Sequence, residues 1–138
     1  MTRAWKKEVV RVPESRLPAP RIRSTAPAIR VGPLLFVTGQ SGRNLGGVDA
    51  YSSDPATQAR QTMENIRVIL EEAGTTFENV VKRTIFVKDP ALYDAMRPVV
   101  DGYFPSPVAS TTVQTGFLRD KLIEVEVIAV IPDDESGA

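Results

Sequence analysis

Apolar side chains recur at Ala59, Met63, Ile66, Leu70 and Ala73, with spacings of four, three, four and three that put them on one face of a helix. Asp54 and Pro55 precede this stripe as an N-cap and a first-turn proline, and Gly74 follows it as a C-cap. The device repeats at Asp89-Pro90, where Leu92, Met96, Val99 and Tyr103 predict a second helix running to about Phe104. Pro98 inside it removes one backbone donor and predicts a kink near Asp94. Elsewhere the pattern is that of strands. Ala28 to Val31 and Leu34 to Thr38 flank Gly32-Pro33 as a hairpin, and Val80 to Lys88 is rich in β-branched residues. Thr111 to Thr115 and Leu122 to Ile131 are expected as a final antiparallel pair, and Trp5 to Val12 as a short first strand. This order predicts an α+β fold, with both helices covering one face of a mixed sheet.

The last strand says what the other face carries. Ile123, Val125, Val127 and Ala129 point one way, and Glu124, Glu126, Ile128 and Val130 the other, because strand side chains alternate. If the helices cover the first set, two carboxylates are left roughly 6.5–7 Å apart on an otherwise apolar face. Association of subunits over that face would bury them and raise their pKa toward the range useful in proton transfer. The alternative is that both acids pair with arginines across an interface.

Composition narrows the chemistry. The chain has 138 residues, 42% of them apolar and 25% charged, which fits one domain spanning 1–138. Residues 1–21 form a basic, proline-rich arm and 132–138 an acidic tail expected to fray. With no cysteine and no histidine, the chain offers no thiol nucleophile, no Ser-His triad, no imidazole base and no common zinc site. Carboxylates, arginines, hydroxyls and backbone amides remain. Net charge is zero, but residues 1–30 hold Arg3, Lys6, Lys7, Arg11, Arg16, Arg21, Arg23 and Arg30 against Glu8 and Glu14. That arm carries Pro13, Pro18, Pro20 and Pro27 without interleaved aromatics, which argues against both a nucleic-acid surface and a transit helix. The opening residues lack a secretory apolar core and no stretch reaches membrane-spanning length, so a soluble cytoplasmic protein is expected.

Four stretches carry a more specific signal. Gln58-Ala59-Arg60-Gln61-Thr62-Met63-Glu64-Asn65-Ile66, Val81 through Asp89, and Ile123 through Val130 resemble the RidA (YjgF) family in the same order. Phe36-Val37-Thr38-Gly39-Gln40 resembles its Ser-Gly-Gln strand end. The resemblance spans roughly residues 22–131. It implies a chorismate-mutase-like fold, a homotrimer with clefts between neighbours, no cofactor, and hydrolysis of reactive enamine or imine acids to keto acids and ammonia. An imine carbon is already electrophilic, so such a site need only hold the substrate carboxylate, shuttle a proton and aim a water. By resemblance Glu124 positions the water or relays the proton, and Gly39, after Thr38, lets backbone lie against the substrate.

The departures are equally specific. The family holds the carboxylate with an arginine in a Pro-Ala-Arg-Ser-like motif; here Pro107-Val108-Ala109-Ser110 occupies that place, leaving Ala109 where the arginine belongs. The adjacent family cysteine becomes Thr111, beside Ser110, and an early tyrosine falls on Thr25. Loss of a buried bidentate contact costs about 2–5 kcal/mol. Arg97, where the family has an asparagine bordering the cleft, is a replacement cation or else a solvated helix arginine; Arg83 and Arg119 are weaker substitutes. Two functional classes follow: a deaminase of a small imine or enamine acid, and a trimer that binds a small acid without turning it over. A nuclease role has no histidine pair, metal-carboxylate cluster or aromatic-basic surface to carry it.

Overall fold

The structure, a computed structural model, describes residues 5–45 and 51–133. The start of the basic arm and the 134–138 part of the tail lie outside the described residues. Strands β1 (Lys7–Val10), β2 (Ala28–Val31) and β3 (Leu34–Gln40) lead to helix α1 (Pro55–Ala73). A one-turn helix (Phe77–Asn79), β4 (Val80–Val87), α2 (Pro90–Asp101), β5 (Ala109–Gln114) and β6 (Ile123–Val130) complete the chain. One six-stranded sheet runs β1-β2-β3-β6-β4-β5, so the last strand sits between β3 and β4.

The boundaries of α1 follow from its caps. The Asp54 carboxylate accepts from the Thr57 hydroxyl (2.7 Å) and its backbone N–H (2.9 Å). These bonds, the hydroxyl first, hold its pKa below the ordinary value. At the other end Gly74 takes φ 86°, a left-handed position that favours glycine, and its N–H returns to the last carbonyls. The expected stripe packs on the sheet, with Ala59, Met63, Ile66 and Leu70 fully buried. Ile69 joins them, as do three polar residues that the apolar pattern passed over: Gln58, Thr62 and Asn65.

Two expectations need correcting. Helix α2 ends at Asp101, and its buried stripe is Tyr93, Met96 and Val100, with Leu92 and Val99 only half-buried. Tyrosine packs as an apolar body, and counting it moves the stripe one position round the helix. Beyond the helix, the Gly102, Tyr103 and Phe104 N–H groups reach back to Pro98, Val100 and Asp101, so tight turns imitate a longer helix. The Tyr103 ring packs against Phe77 and its hydroxyl donates to Glu64; burial first, then that bond, pushes the phenol pKa up.

Strand β5 does not pair with β6. It lies parallel to β4, with Thr84 opposite Thr111 and Phe86 opposite Val113. The β4–α2–β5 segment is a helical crossover, the connection that returns a chain to a parallel neighbour. Alternation along a strand fixes its faces but does not choose its partner.

The alternation in β6 holds: Ile123, Val125, Val127 and Ala129 are buried beneath the helices. The registers place Phe36, Ile128, Lys82 and Ala109 in one row across the opposite face, and Glu126, Thr84 and Thr111 in the next. Among the described residues no helix covers this face. Val9, Phe36 and Val113 on it are exposed by 45%, 42% and 38%, while Ile29, Val31, Leu34, Phe86, Ile128 and Val130 are half-buried.

Candidate functional site

The end of β3 brings backbone against the glutamate of β6. At Gly39 an added Cβ would lie 2.7 Å from Glu124 Oε2, so any side chain there would displace the carboxylate. The β3–β6 ladder shifts register between Val37 and Gln40, and this irregularity carries Gly39 past its neighbour. The other oxygen, Oε1, accepts from Lys121 Nζ at 2.6 Å. Glu124 is thus bracketed by a backbone with no side chain on one side and an ammonium on the other.

These atoms border a cavity of about 280 Å³. One wall is the arm: Leu17 is buried, Pro18, Pro20, Arg21, Ile22 and Thr25 follow it along the rim, and Arg16 pairs with Glu71 (2.7 Å) and Glu72 (2.9 Å) near the end of α1. The opposite wall is the segment before β6, with Leu118, Arg119 and Lys121. Thr38 N–H and hydroxyl donate to the Pro27 and Ala26 carbonyls, so this predicted site residue ties the arm to the strand end. Buried polar residues of α1 set the floor. Asn65 Nδ2 donates to the Ser41 and Arg43 carbonyls (2.9 and 2.8 Å), and Gln58 donates to Ser52 O and accepts from Leu122 N–H.

The predicted site residues therefore fall into two groups. Thr38, Gly39 and Glu124 share the cavity, and Thr25 lies on its wall. Ala109, Ser110 and Thr111 lie on the exposed edge strand β5, two strands away, and Ala109 is in register with Ile128. From Glu124 that is about 10 Å across the sheet and about 13 Å along it. Ser110 Oγ accepts from Arg83 Nε (2.9 Å), Thr111 Oγ1 from Lys82 Nζ (3.2 Å), and Arg83 also pairs with Asp101. Arg97 is exposed, lies over the Tyr93 ring (5.2 Å) and borders a separate groove between α2 and β5. Within one chain it does not meet Glu124.

Sequence reasoning missed the cation that does, Lys121. Lys121, Arg21 and Arg43 line the cavity together with Arg119, and Glu124 is its one acid among the described residues. Lys121 stands three places before Glu124 in a connecting segment, where no periodic signal marks it. Arg43 comes from the loop after β3 and donates to Ala19 O of the arm (2.7 Å). Among the described residues no cluster of three or more His, Cys, Asp or Glu could hold a metal, and no helix is long and apolar enough to cross a membrane.

Comparison with known proteins agrees with this architecture. The sequence pattern of a family described as Endoribonuclease L-PSP matches residues 16–131. A RutC family protein of Pyrococcus abyssi is 38% identical over 104 residues, covering 74% of this chain and 82% of that protein. The crystal structure of YyfA from Yersinia pestis, described as a protein of the conserved Rid family, superposes with a TM-score of 0.84 at 29% identity, over 91% of this chain and all of that one. The YJGF gene product from E. coli superposes at 0.80 with 29% identity, over 91% and 99% of the two chains. The chain belongs to the RidA (YjgF) family, also called Endoribonuclease L-PSP, and its mixed sheet with two helices on one face is the chorismate-mutase-like fold of that family.

Proposed function

We propose that this protein hydrolyses a small imine or enamine acid to a keto acid and ammonia, with Glu124 as the catalytic residue. The observation that carries the reading is a carboxylate held at a cavity wall, one oxygen on Lys121 and the other against the bare backbone of Gly39. Water adds to the imine carbon while Glu124 accepts a proton from that water and returns it to nitrogen; the same carboxylate then carries the carbinolamine's hydroxyl proton to its amine nitrogen, and the C–N bond breaks as C=O forms, releasing ammonia. An enamine first takes a proton on its β-carbon and gives one up from nitrogen to become the imine. The substrate side chain lies against the apolar residues of the arm.

The working unit is a homotrimer. The uncovered sheet face, apolar apart from Lys7, Lys82, Glu124, Glu126 and a few threonines, is the kind of surface that subunit association buries. Across a subunit boundary the β5 edge of a neighbour, with Ala109, Ser110 and Thr111, faces the Glu124 cavity and completes the cleft. The ribonuclease in the family description has no histidine to act as base here. A second reading, binding of a small acid without turnover, is favoured by Ala109 at the motif arginine position.

The test is a coupled assay. An amino-acid oxidase generates imines from a panel of amino acids, and ammonia release is followed with and without the protein. Acceleration for at least one member is expected; none across the panel would leave the binding reading in its place.

A further inference from the structure

The proposed reaction needs a cation for the substrate carboxylate, and position 109 supplies none. We infer that Lys121 is the carboxylate anchor of this protein, acting from the same chain as Glu124 and replacing the motif arginine. The inference rests on the reading of the cavity as a site for small acids.

Four observations converge on Lys121. Its ammonium lines the cavity and its side chain is only 16% exposed, so a bound carboxylate would meet it with little competing water. It already stands 2.6 Å from Glu124 Oε1, so an anion on it lies beside the proton-transfer group. An ammonium has three donors, and the bond to Glu124 uses one. The Phe117 ring, 5.5 Å from Nζ, supports the side chain from one side without consuming a donor. Arg97 lacks the first two properties within its own chain, being exposed on a separate groove. Arg119 lines the cavity but is exposed and also borders a neighbouring hollow, a place suited to attracting an anion rather than fixing it.

A point charge also differs chemically from the planar fork it replaces. Guanidinium fixes both carboxylate oxygens in one plane, whereas ammonium sets distance and leaves the orientation about it free. The site therefore discriminates the presence of a carboxylate more than its tilt, and tolerates acids of differing length.

The experiment uses calorimetric binding of 2-oxobutanoate, the keto acid that hydrolysis of 2-iminobutanoate would give, and of its methyl ester, which lacks the negative charge. The full-length chain is compared with Lys121→Met, Lys121→Arg and Arg97→Ala, and thermal unfolding is recorded for each. The wild type should bind the acid in preference to the ester. Lys121→Met should weaken acid binding at least about 30-fold and leave the ester unchanged. Lys121→Arg should retain most of the preference, and Arg97→Ala all of it. Loss of the preference in Arg97→Ala with Lys121→Met unaffected overturns the assignment, as does a Lys121→Met protein that still prefers the acid. If Lys121→Met unfolds, Lys121→Arg and Arg97→Ala decide the matter, and loss in Arg97→Ala alone overturns the assignment. Acid binding that depends on Lys121, without turnover of any imine, supports the anchor and overturns the catalytic reading. Absence of binding by the wild type overturns both.

Discussion

At Glu124 two constraints act on one carboxylate, and they differ in kind. Lys121 attracts one oxygen, whereas Gly39 merely leaves room for the other. Adding a methyl group at position 39 closes that room, yet what it meets is the far end of a flexible side chain, which can swing aside. Gly39→Ala should therefore fold normally and fail in catalysis: a displacement of about 1 Å at a catalytic group costs on the order of 100-fold in rate. Steady-state kinetics beside a melting curve checks this, and a variant with unchanged kcat would remove Glu124 from the chemistry. Glu124 itself was legible in the sequence, because period-two alternation puts it on the face opposite the buried valines. Lys121 was not. Its position matters only because the arm at 17–27 and the segment at 118–121, nearly a hundred residues apart, close on the same cavity.

Among the elements, α1 serves the site more than its apolar stripe indicates. Met63, Ile66 and Leu70 hold it to the sheet, while Gln58 and Asn65, equally buried, hold the loops that form the cavity floor. Asn65→Leu removes two donors from the Ser41 and Arg43 carbonyls. Leaving buried carbonyls unsatisfied costs about 1–3 kcal/mol each, less where water can reach them. Denaturant unfolding should register a loss within that range, accompanied by weaker substrate binding as the 41–43 loop loosens. A variant as stable as the wild type would mean that these bonds are readily replaced. The family resemblance marks the Gln58 to Ile66 run without saying what its polar members do; their role is visible only once the 41–43 loop and Leu122 are seen packed against them. The pairing of β5 escapes the sequence for a related reason. Its residues are exposed along the whole strand, so no burial pattern points to a neighbour, and the deciding feature is the intervening helix.

For the whole molecule, the uncovered sheet face is the main unfinished surface. Phe36 and Val113 lie exposed there beside half-buried Ile128 and Phe86, on the side of the sheet opposite both helices. A trimer of three chain masses is expected by light scattering at micromolar concentration, and Phe36→Glu should break it into monomers by placing a charge on that face. A wild-type monomer would contradict the proposed cleft, since the β5 edge of a neighbour could then never reach Glu124. The fold, with its two helices on one face, follows from periodicity and caps; which chain covers the other face cannot be written in the alternation of a single strand.

The central claim is that Glu124 moves the proton in imine hydrolysis. Its most direct measurement is ammonia release from oxidase-generated imines, comparing wild type with Glu124→Gln at equal concentration of folded protein. Glutamine keeps the shape and cannot exchange a carboxyl proton, so the account predicts a loss of about 100-fold or more in kcat. Equal rates for the two proteins would contradict it.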